Sequence, residues 1–174
     1  MRRVLVVGGP GSGKTTYAEK LAARLEVPHQ DLDRVAYDPP PVDPDAPFWQ
    51  WERVPDDLRY ERAALLAETG GWVADGLYAG WTAALRDAAD LIVWLDPPPR
   101  VTVWRVLRRA VADRGRDWDV RSALRVARGA RSYRSRPLGT PEALRERDGA
   151  NSSRTLAEFL RPVADKVTRV VSAG

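Results

Sequence analysis

The sequence predicts an α/β domain with a parallel sheet, and two observations lead to this fold class. Short apolar runs rich in β-branched residues alternate with segments whose apolar side chains recur at helical spacing, which is the pattern of strands joined by helices. A glycine-rich stretch at residues 8–13 separates the first run from the first helical segment. The chain shows no repeat and no break in composition, so we expect residues 1–174 to form one domain.

The N-terminal part alternates clearly between the two kinds of element. Residues 3–7 are a β-branched apolar run and predict a buried first strand. Residues 14–25 have apolar side chains at helical spacing, and residues 27–32 predict a short second strand. Residues 38–47 are rich in proline, which excludes regular structure and favours an exposed loop.

The middle of the chain repeats this alternation. Residues 48–69 are predicted to be mostly helical, with Pro55 as a break or a helix start. Residues 72–75 predict the third strand and residues 82–87 a short helix. Residues 91–95 predict the fourth strand, which is the most apolar.

The C-terminal part begins with three prolines at residues 97–99, which end the fourth strand. Helices are then predicted at residues 100–113, 120–133 and 152–165, the last with Ser152 or Ser153 as its N-cap. Residues 135–151 favour a loop, and residues 168–171 predict the fifth strand.

Composition excludes several classes of protein. The chain has no cysteine and a single histidine, His29, which rules out disulfides, metal sites built on cysteine or histidine clusters, and serine–histidine triads. No apolar stretch approaches the roughly 20 residues that span a bilayer, and the N-terminus lacks the apolar core of a signal peptide. We therefore expect a cytoplasmic protein that contacts no membrane.

The glycine-rich stretch carries the most specific motif in the chain. Residues 8–15, GGPGSGKT, fit the phosphate-binding P-loop pattern GxxxxGK[ST] at every fixed position, with a strand before and a helix after. The loop and the helix N-terminus direct backbone N–H groups at phosphate, Lys14 reaches the β- and γ-phosphates, and the Thr15 hydroxyl binds Mg²⁺. The residues predicted to bind ATP here are Gly8, Pro10, Gly11, Ser12, Gly13, Lys14, Thr15 and Thr16.

Aspartates end the predicted strands, and the carboxyl ends of parallel strands gather at the ligand crevice. Asp96 follows the most apolar run and Asp75 precedes Gly76, at a turn where close approach to nucleotide is easy. The pattern leaves open which of the two serves the metal, and either could instead cap the next element. Of Asp31 and Asp33, the second is the better candidate to contact an acceptor and take its proton, with a plain turn aspartate as the alternative.

Arginines concentrate between residues 100 and 136. Arg105 and Arg109 are four residues apart and share one helix face, so we expect the opposite face, with Val103, Leu107 and Ala110, to be buried. The next helix carries a second basic stripe of Arg121, Arg125 and Arg128 beside the apolar residues Val120, Leu124 and Ala127.

These stripes predict a lid over about residues 114–136 that closes on phosphates. Arginine binds phosphate oxygens in a bidentate manner and stabilises charge on a transferring phosphoryl group. Two alternatives stay open. The stripes could be solvated helix faces, or they could bind a nucleic-acid backbone.

Taken in order, the motifs resemble those of a known family. The P-loop, DLD at 31–33, WVADG at 72–76 with Tyr78, and ADLIVWLD at 89–96 followed by WRVLRR at 104–109 are similar to the bacterial adenylate-kinase-related ATPases often labelled DNA topology modulation proteins. More distantly, the chain resembles adenylate and shikimate kinases. The resemblance implies a three-layer P-loop NTPase fold with a five-stranded parallel sheet in 2-3-1-4-5 order, helices on both faces, an arginine-rich lid, and an acceptor-side region at about residues 34–69.

The resemblance also implies roles for single residues. Arg105 would lie against the adenine, Arg109 would contact phosphate, Asp75 would hold Mg²⁺ through water, and Asp33 would contact the acceptor hydroxyl. Where adenylate kinases have DGFPR, this chain has DGLYA at residues 75–79. The arginine that helps those enzymes hold a nucleoside monophosphate is therefore missing.

The combined prediction is an ATP-dependent phosphotransferase that moves the γ-phosphate of MgATP to a small hydroxylated or nucleotide-like acceptor. The predicted catalytic residues are Lys14, Asp33, Arg109, Arg125 and Arg128, and the predicted metal-site residues are Thr15 and Asp75. Trp49, Trp51, Tyr78 and Trp81 are expected near the acceptor side, with core packing as the alternative. The arginine cluster supports a second reading, a nucleic-acid-associated ATPase or regulator.

Overall fold

The computed structural model of the protein describes residues 2–46, 48–112, 120–138, 140 and 152–171. The strands in these ranges are β1 (Arg3–Gly8), β2 (His29–Asp31), β3 (Tyr37–Asp38), β4 (Glu52–Arg53), β5 (Trp72–Gly76), β6 (Leu91–Leu95) and β7 (Val167–Val170). The α-helices are α1 (Lys14–Leu25), α2 (Asp33–Ala36), α3 (Asp56–Glu68), α4 (Ala83–Ala88), α5 (Pro99–Ala112), α6 (Val120–Ser132) and α7 (Ser153–Leu160). Within the same ranges, no helix is long and apolar enough to cross a membrane.

Five parallel strands form the central sheet in the order β2-β5-β1-β6-β7. Counting only these five along the chain, the order is 2-3-1-4-5, so the predicted fold class is confirmed. The strand β1 lies at the centre, between β5 and β6. The P-loop that follows it therefore sits at the middle of the sheet's carboxyl edge.

Side chains of β1 alternate between two cores, as the pleat of a strand requires. Val4 and Val6 pack with Ala18 and Ala22 of α1 on one face. Leu5 and Val7 belong to a larger core on the other face, built with residues of α3, α4 and α7. The sheet is thus covered on both sides, which gives the three layers.

The acceptor-side region differs from its prediction. A two-stranded antiparallel sheet pairs β3 with β4, and the short helix α2 precedes it. Residues Phe48–Gln50 form a 3-10 helix and the long helix starts at Asp56, so Pro55 marks a helix start as predicted. The prediction of a mostly helical 48–69 was wrong only between these two helices, where β4 lies. Proline disfavours helical backbone in the residue before it, which suits an extended β4 and a helix start immediately after Pro55.

The C-terminal helix prediction was partly right. Ser152 is the N-cap of α7, and its hydroxyl accepts a hydrogen bond from the Thr155 N–H. The α-helix ends at Leu160, and residues Arg161–Lys166 form a 3-10 helix. Pro162 lies in this segment and has no N–H to donate to an α-helical hydrogen bond.

The buried face of α5 was predicted incorrectly. Thr102 and Val106 are the buried residues of α5, whereas Leu107 is 41% exposed, and in α6 Leu124 is 47% exposed. The helix α5 is rotated by about one residue from the predicted stripe, because Thr102 and Val106 pack on the P-loop. The predicted lid centre at residues 114–119 lies outside the described residues.

Candidate active site

The P-loop turns directly from β1 into α1. Gly11 and Gly13 have φ angles of 73° and 89°, a left-handed region that glycine enters at little cost. The Ser12 N–H donates to the Gly9 carbonyl at 3.2 Å, and the Tyr17 N–H donates to the Gly13 carbonyl at 3.0 Å. This glycine conformation brings Lys14 and Thr15 to the first turn of α1.

Helix α5 lies closely against the loop. The Arg105 guanidinium donates through Nη1 to the Ser12 carbonyl at 3.1 Å. A Cβ on Gly11 would lie 2.5 Å from the Thr102 carbonyl oxygen, and one on Gly9 would lie 2.9 Å from the Tyr133 ring. The glycines are therefore required by the contacts of α5 and Tyr133 as well as by the turn. Arg105 therefore lies beside the P-loop backbone.

We expect Gly11→Ala to lower the free energy of unfolding by about 1–3 kcal/mol, because it combines left-handed strain with the Thr102 overlap. Chemical denaturation monitored by tryptophan fluorescence measures this. Gly129→Ala in α6 is the matched control, since a Cβ there meets nothing within 4 Å. Alanine is the better helix former by about 1 kcal/mol, so the control should be neutral or stabilising. Equal stabilities for the two variants would contradict the loop geometry.

Asp75 lies at the first turn of α1, on the strand next to β1. Its side chain is 2% exposed, Oδ2 accepts a hydrogen bond from the Thr15 hydroxyl at 2.8 Å, and Oδ1 lies 2.7 Å from Nε2 of His29. Opposite it across the strand pair is Val6. A hydroxyl and a carboxylate oxygen are ligands that Mg²⁺ prefers, so the donor set of Thr15 and Asp75 fits this ion.

Asp96 occupies the equivalent edge of the sheet on the other side of β1, in a different environment. Its side chain is 3% exposed, and Arg134 Nε donates to Oδ1 at 3.0 Å while Arg169 is ion-paired with Oδ2. The Arg169 guanidinium also lies over the Trp94 ring at 4.5 Å. Both carboxylate oxygens are thus engaged by arginines that join the end of α6 to β7 and β6.

Asp31 and Asp33 lie at the end of β2, beside β5. Asp31 is opposite Asp75 in the strand pair, and its Oδ1 accepts a hydrogen bond from the Asp33 N–H at 2.9 Å. Burial raises the pKa of Asp31 above its usual value, and the neighbouring Asp33 carboxylate raises it further. The Tyr78 hydroxyl donates to Oδ1 of Asp33 at 2.5 Å.

Tyr78 acts only as a hydrogen-bond donor to this carboxylate near neutral pH. Burial raises the pKa of Tyr78 far above its ordinary value, and the charge of Asp33 raises it further. Among the described residues, Oδ2 of Asp33 has no hydrogen-bond partner and Asp33 is exposed. Within the described ranges, one carboxylate oxygen of Asp33 is therefore not hydrogen-bonded to a protein group.

The other predicted site residues fall into two sets. Lys14 is half-buried with no hydrogen-bond partner for its ammonium group in the described ranges, and Thr16 is exposed beside it. Arg109 lies one turn beyond Arg105 and is exposed, as are Arg125 and Arg128 on α6. The described contacts bring Arg105 to the P-loop and show no such contact for Arg125 or Arg128.

The predicted aromatic residues divide between core and acceptor side. Trp81 is buried and its ring centre lies 5.0 Å from that of Tyr78. Trp51 packs against Phe48, with the Arg34 guanidinium over its ring at 5.4 Å. The side chain of Trp49 lies outside the described residues.

Sequence reasoning did not single out His29, Tyr133, Arg134 or Arg169, which contact the candidate site in the structure. His29 has a signal that could have been used, because it shares a strand face with Asp31 two residues later. Arg134 and Arg169 have none, since their common partner Asp96 is 38 and 73 residues away in sequence.

Comparisons with known proteins give structural matches of low identity. No family model and no curated protein matches the chain, so the resemblance to adenylate-kinase-related ATPases stays a resemblance. A gluconokinase from Sinorhizobium meliloti is 18% identical, with 99% of this chain and 83% of that one covered and a TM-score of 0.49. A shikimate kinase from Acinetobacter baumannii is 17% identical, with 100% and 85% covered and a TM-score of 0.47. The three-layer fold stands on the strand order and the two cores described above.

Proposed function

We propose that the protein is an ATP-dependent phosphotransferase that moves the γ-phosphoryl group of MgATP to a hydroxyl of a small acceptor. One observation carries this proposal: the hydrogen-bonded pair of Thr15 and Asp75 at the P-loop has a second carboxylate group as its neighbour. Asp31 is opposite Asp75 in the sheet, and Asp33 follows it with one oxygen available. The residues proposed for donor and acceptor thus lie at one edge of the sheet, which supports the proposal.

The donor half would work mainly by positioning and electrostatics, as phosphoryl transfer requires. The P-loop backbone and Lys14 would bind the β- and γ-phosphates, and Arg105 would contact the nucleotide close to Ser12. Thr15 and Asp75 would hold Mg²⁺, which neutralises charge on the phosphates. Arg109 on α5, together with Arg125 and Arg128 on α6, would supply further positive charge to the transferring group.

The acceptor half would work through Asp33. The carboxylate oxygen that Tyr78 does not contact would accept a hydrogen bond from the acceptor hydroxyl. It would take the hydroxyl's proton as the acceptor oxygen attacks the γ-phosphorus and ADP leaves. Tyr78 occupies the other oxygen and fixes the carboxylate's orientation. These contacts support the proposed role of Asp33 as a general base.

The charges near Asp33 favour a hydroxylated acceptor without phosphate. Neither Asp31 nor Asp33 has an ion-pair partner among the described residues. Most arginines of the acceptor-side region pair elsewhere: Arg53 and Arg59 with Asp56, and Arg62 with Asp38. Arg34 lies over the Trp51 ring and also lowers the pKa of Asp31, but by less than burial and the Asp33 charge raise it. A phosphorylated acceptor would meet two carboxylates, whereas a neutral or cationic one would not be repelled.

An acceptor screen with ATP and Mg²⁺ tests the proposal. We expect ADP release that depends on a neutral polyol, nucleoside or amino alcohol, and little stimulation by sugar phosphates or nucleoside monophosphates. The product should carry the label of [γ-³²P]ATP. ADP release that ignores every acceptor would count against phosphotransfer, and a preference for phosphorylated acceptors would reject only the acceptor class.

A nucleic-acid-associated ATPase is the second candidate, and the exposed arginines of α6 favour it. Arg125, Arg128 and Arg131 are all solvent-exposed. If they bind a nucleic-acid backbone, retention on DNA should fall steeply with salt. Absence of retention at low salt would reject this candidate.

A further inference from the structure

The chain's single histidine contacts the carboxylate that the proposed function assigns to the metal. Nε2 of His29 lies 2.7 Å from Oδ1 of Asp75, while Oδ2 of the same carboxylate accepts the Thr15 hydroxyl at 2.8 Å. A carboxylate that binds a metal is ionised and only accepts hydrogen bonds, so the proposed metal role of Asp75 requires the tautomer in which Nε2 of His29 carries the hydrogen and donates it. Each oxygen of Asp75 therefore has a different, defined donor.

This arrangement restricts how Asp75 can present itself. The Asp75 side chain is 2% exposed and that of His29 is 22% exposed, so little water competes for the contact. Because the two oxygens face different donors, rotation of the carboxylate away from this orientation would weaken both hydrogen bonds together. The imidazole, fixed on β2 beside β5, holds the carboxylate plane in the orientation that directs Oδ2 at Thr15.

We propose that His29 is a positioning residue for the metal half of the site: it orients Asp75 so that Oδ2 and the Thr15 hydroxyl face the same Mg²⁺ position. This inference rests on the proposed function, which makes Asp75 and Thr15 the metal-side groups. Hydrogen bonds that orient a metal ligand from behind typically change metal affinity or activity about 10- to 100-fold when they are removed. His29 itself contacts neither nucleotide nor acceptor in this proposal.

Two substitutions separate this role from simple packing. His29→Leu keeps an apolar side chain of similar reach and removes the donor. His29→Gln keeps a side-chain N–H that can donate to Asp75. If orientation of Asp75 is what matters, the glutamine variant retains function and the leucine variant loses it, although both lack the imidazole ring.

The test measures Mn²⁺ binding to the protein with ADP, by electron paramagnetic resonance, alongside metal-free ADP affinity and melting temperature. We expect His29→Leu to weaken Mn²⁺ binding about 10-fold or more, His29→Gln to stay within a few-fold of the parent protein, and metal-free ADP affinity to be unchanged in both. Equal Mn²⁺ binding by His29→Leu and the parent protein would overturn the proposal. Equal loss by both variants, or a parallel loss of metal-free ADP binding, would also overturn it, because a structural role predicts those results.

Because His29 is the only histidine, its ring gives a single set of imidazole NMR signals. Long-range ¹H–¹⁵N spectra should show the hydrogen on Nε2, and Asp75→Asn should shift those signals. Addition of MgADP should shift them as well, whereas metal-free ADP should shift them much less. Spectra that do not respond to Asp75→Asn would contradict the contact. If the parent protein binds no metal in the presence of ADP, the proposed function itself fails at its donor half. If the parent protein binds metal and the His29 variants do not behave as expected, only the role of His29 is wrong.

Discussion

Substitution of Asp75 by asparagine is expected to reduce phosphoryl transfer by about 10²–10³-fold, as removal of one preorganised electrostatic group does in other enzymes. Asparagine has nearly the shape of aspartate, and its amide can still hydrogen-bond with Thr15 and His29. The loss should therefore arise from the missing negative charge and not from unfolding. Turnover measured over a range of Mg²⁺ concentrations should show a raised metal requirement, with an unchanged melting temperature.

Asp96→Asn is the matched control, since Asp96 is equally buried and follows the strand on the other side of β1. The Asp96→Asn variant loses the negative charge that Arg134 and Arg169 contact. Because hydrogen bonds to charged groups contribute about 1.5–3 kcal/mol, we expect a fall in unfolding free energy of that order and an unchanged Mg²⁺ requirement. The reverse outcome, with metal dependence altered in Asp96→Asn and stability altered in Asp75→Asn, would assign the metal to β6.

The contrast between these aspartates shows where sequence reasoning reached its limit. Asp75 lies near the end of β5, Asp96 follows β6, and both strands lie next to β1, so strand patterns alone left the metal-side acid open. The proposed assignment rests on side chains that approach from distant parts of the chain: Thr15 and His29 at Asp75, and Arg134 and Arg169 at Asp96. Such contacts have no periodicity that a single sequence displays.

The elements that were predicted well are those with strong local signals. Helix α1 begins and ends at the predicted residues, and β6 matches its predicted range, because the P-loop motif and a five-residue apolar run define them locally. The strands β3 and β4 have only two residues each. Such short strands show no alternation of apolar and polar residues in the sequence, so they were not predicted. The buried face of α5 depends on contact with the P-loop backbone, which the helix's own apolar spacing does not reveal.

The second large effect is expected at Asp33. Asp33→Asn should lower acceptor-dependent ADP release by about 10²–10⁴-fold, the range that a general base contributes, because an amide cannot take the proton of the acceptor hydroxyl. ATP binding should be unchanged, since Asp33 belongs to the β2 end of the site and the P-loop contacts stay intact. Initial rates with saturating ATP, together with a binding titration for ATP, measure both quantities.

Tyr78→Phe distinguishes proton transfer from orientation of the carboxylate. The phenylalanine variant keeps the Asp33 charge and removes the hydrogen bond that Tyr78 donates to Oδ1. A hydrogen bond to a charged group contributes about 1.5–3 kcal/mol, which limits the expected loss to roughly 10- to 100-fold and leaves the reaction detectable. If both substitutions lower the rate equally, Asp33 acts through its hydrogen bond to Tyr78, and the proton of the acceptor leaves by another group. If Asp33→Asn alone abolishes the acceptor-dependent reaction, the oxygen that Tyr78 leaves available is the one that receives the proton.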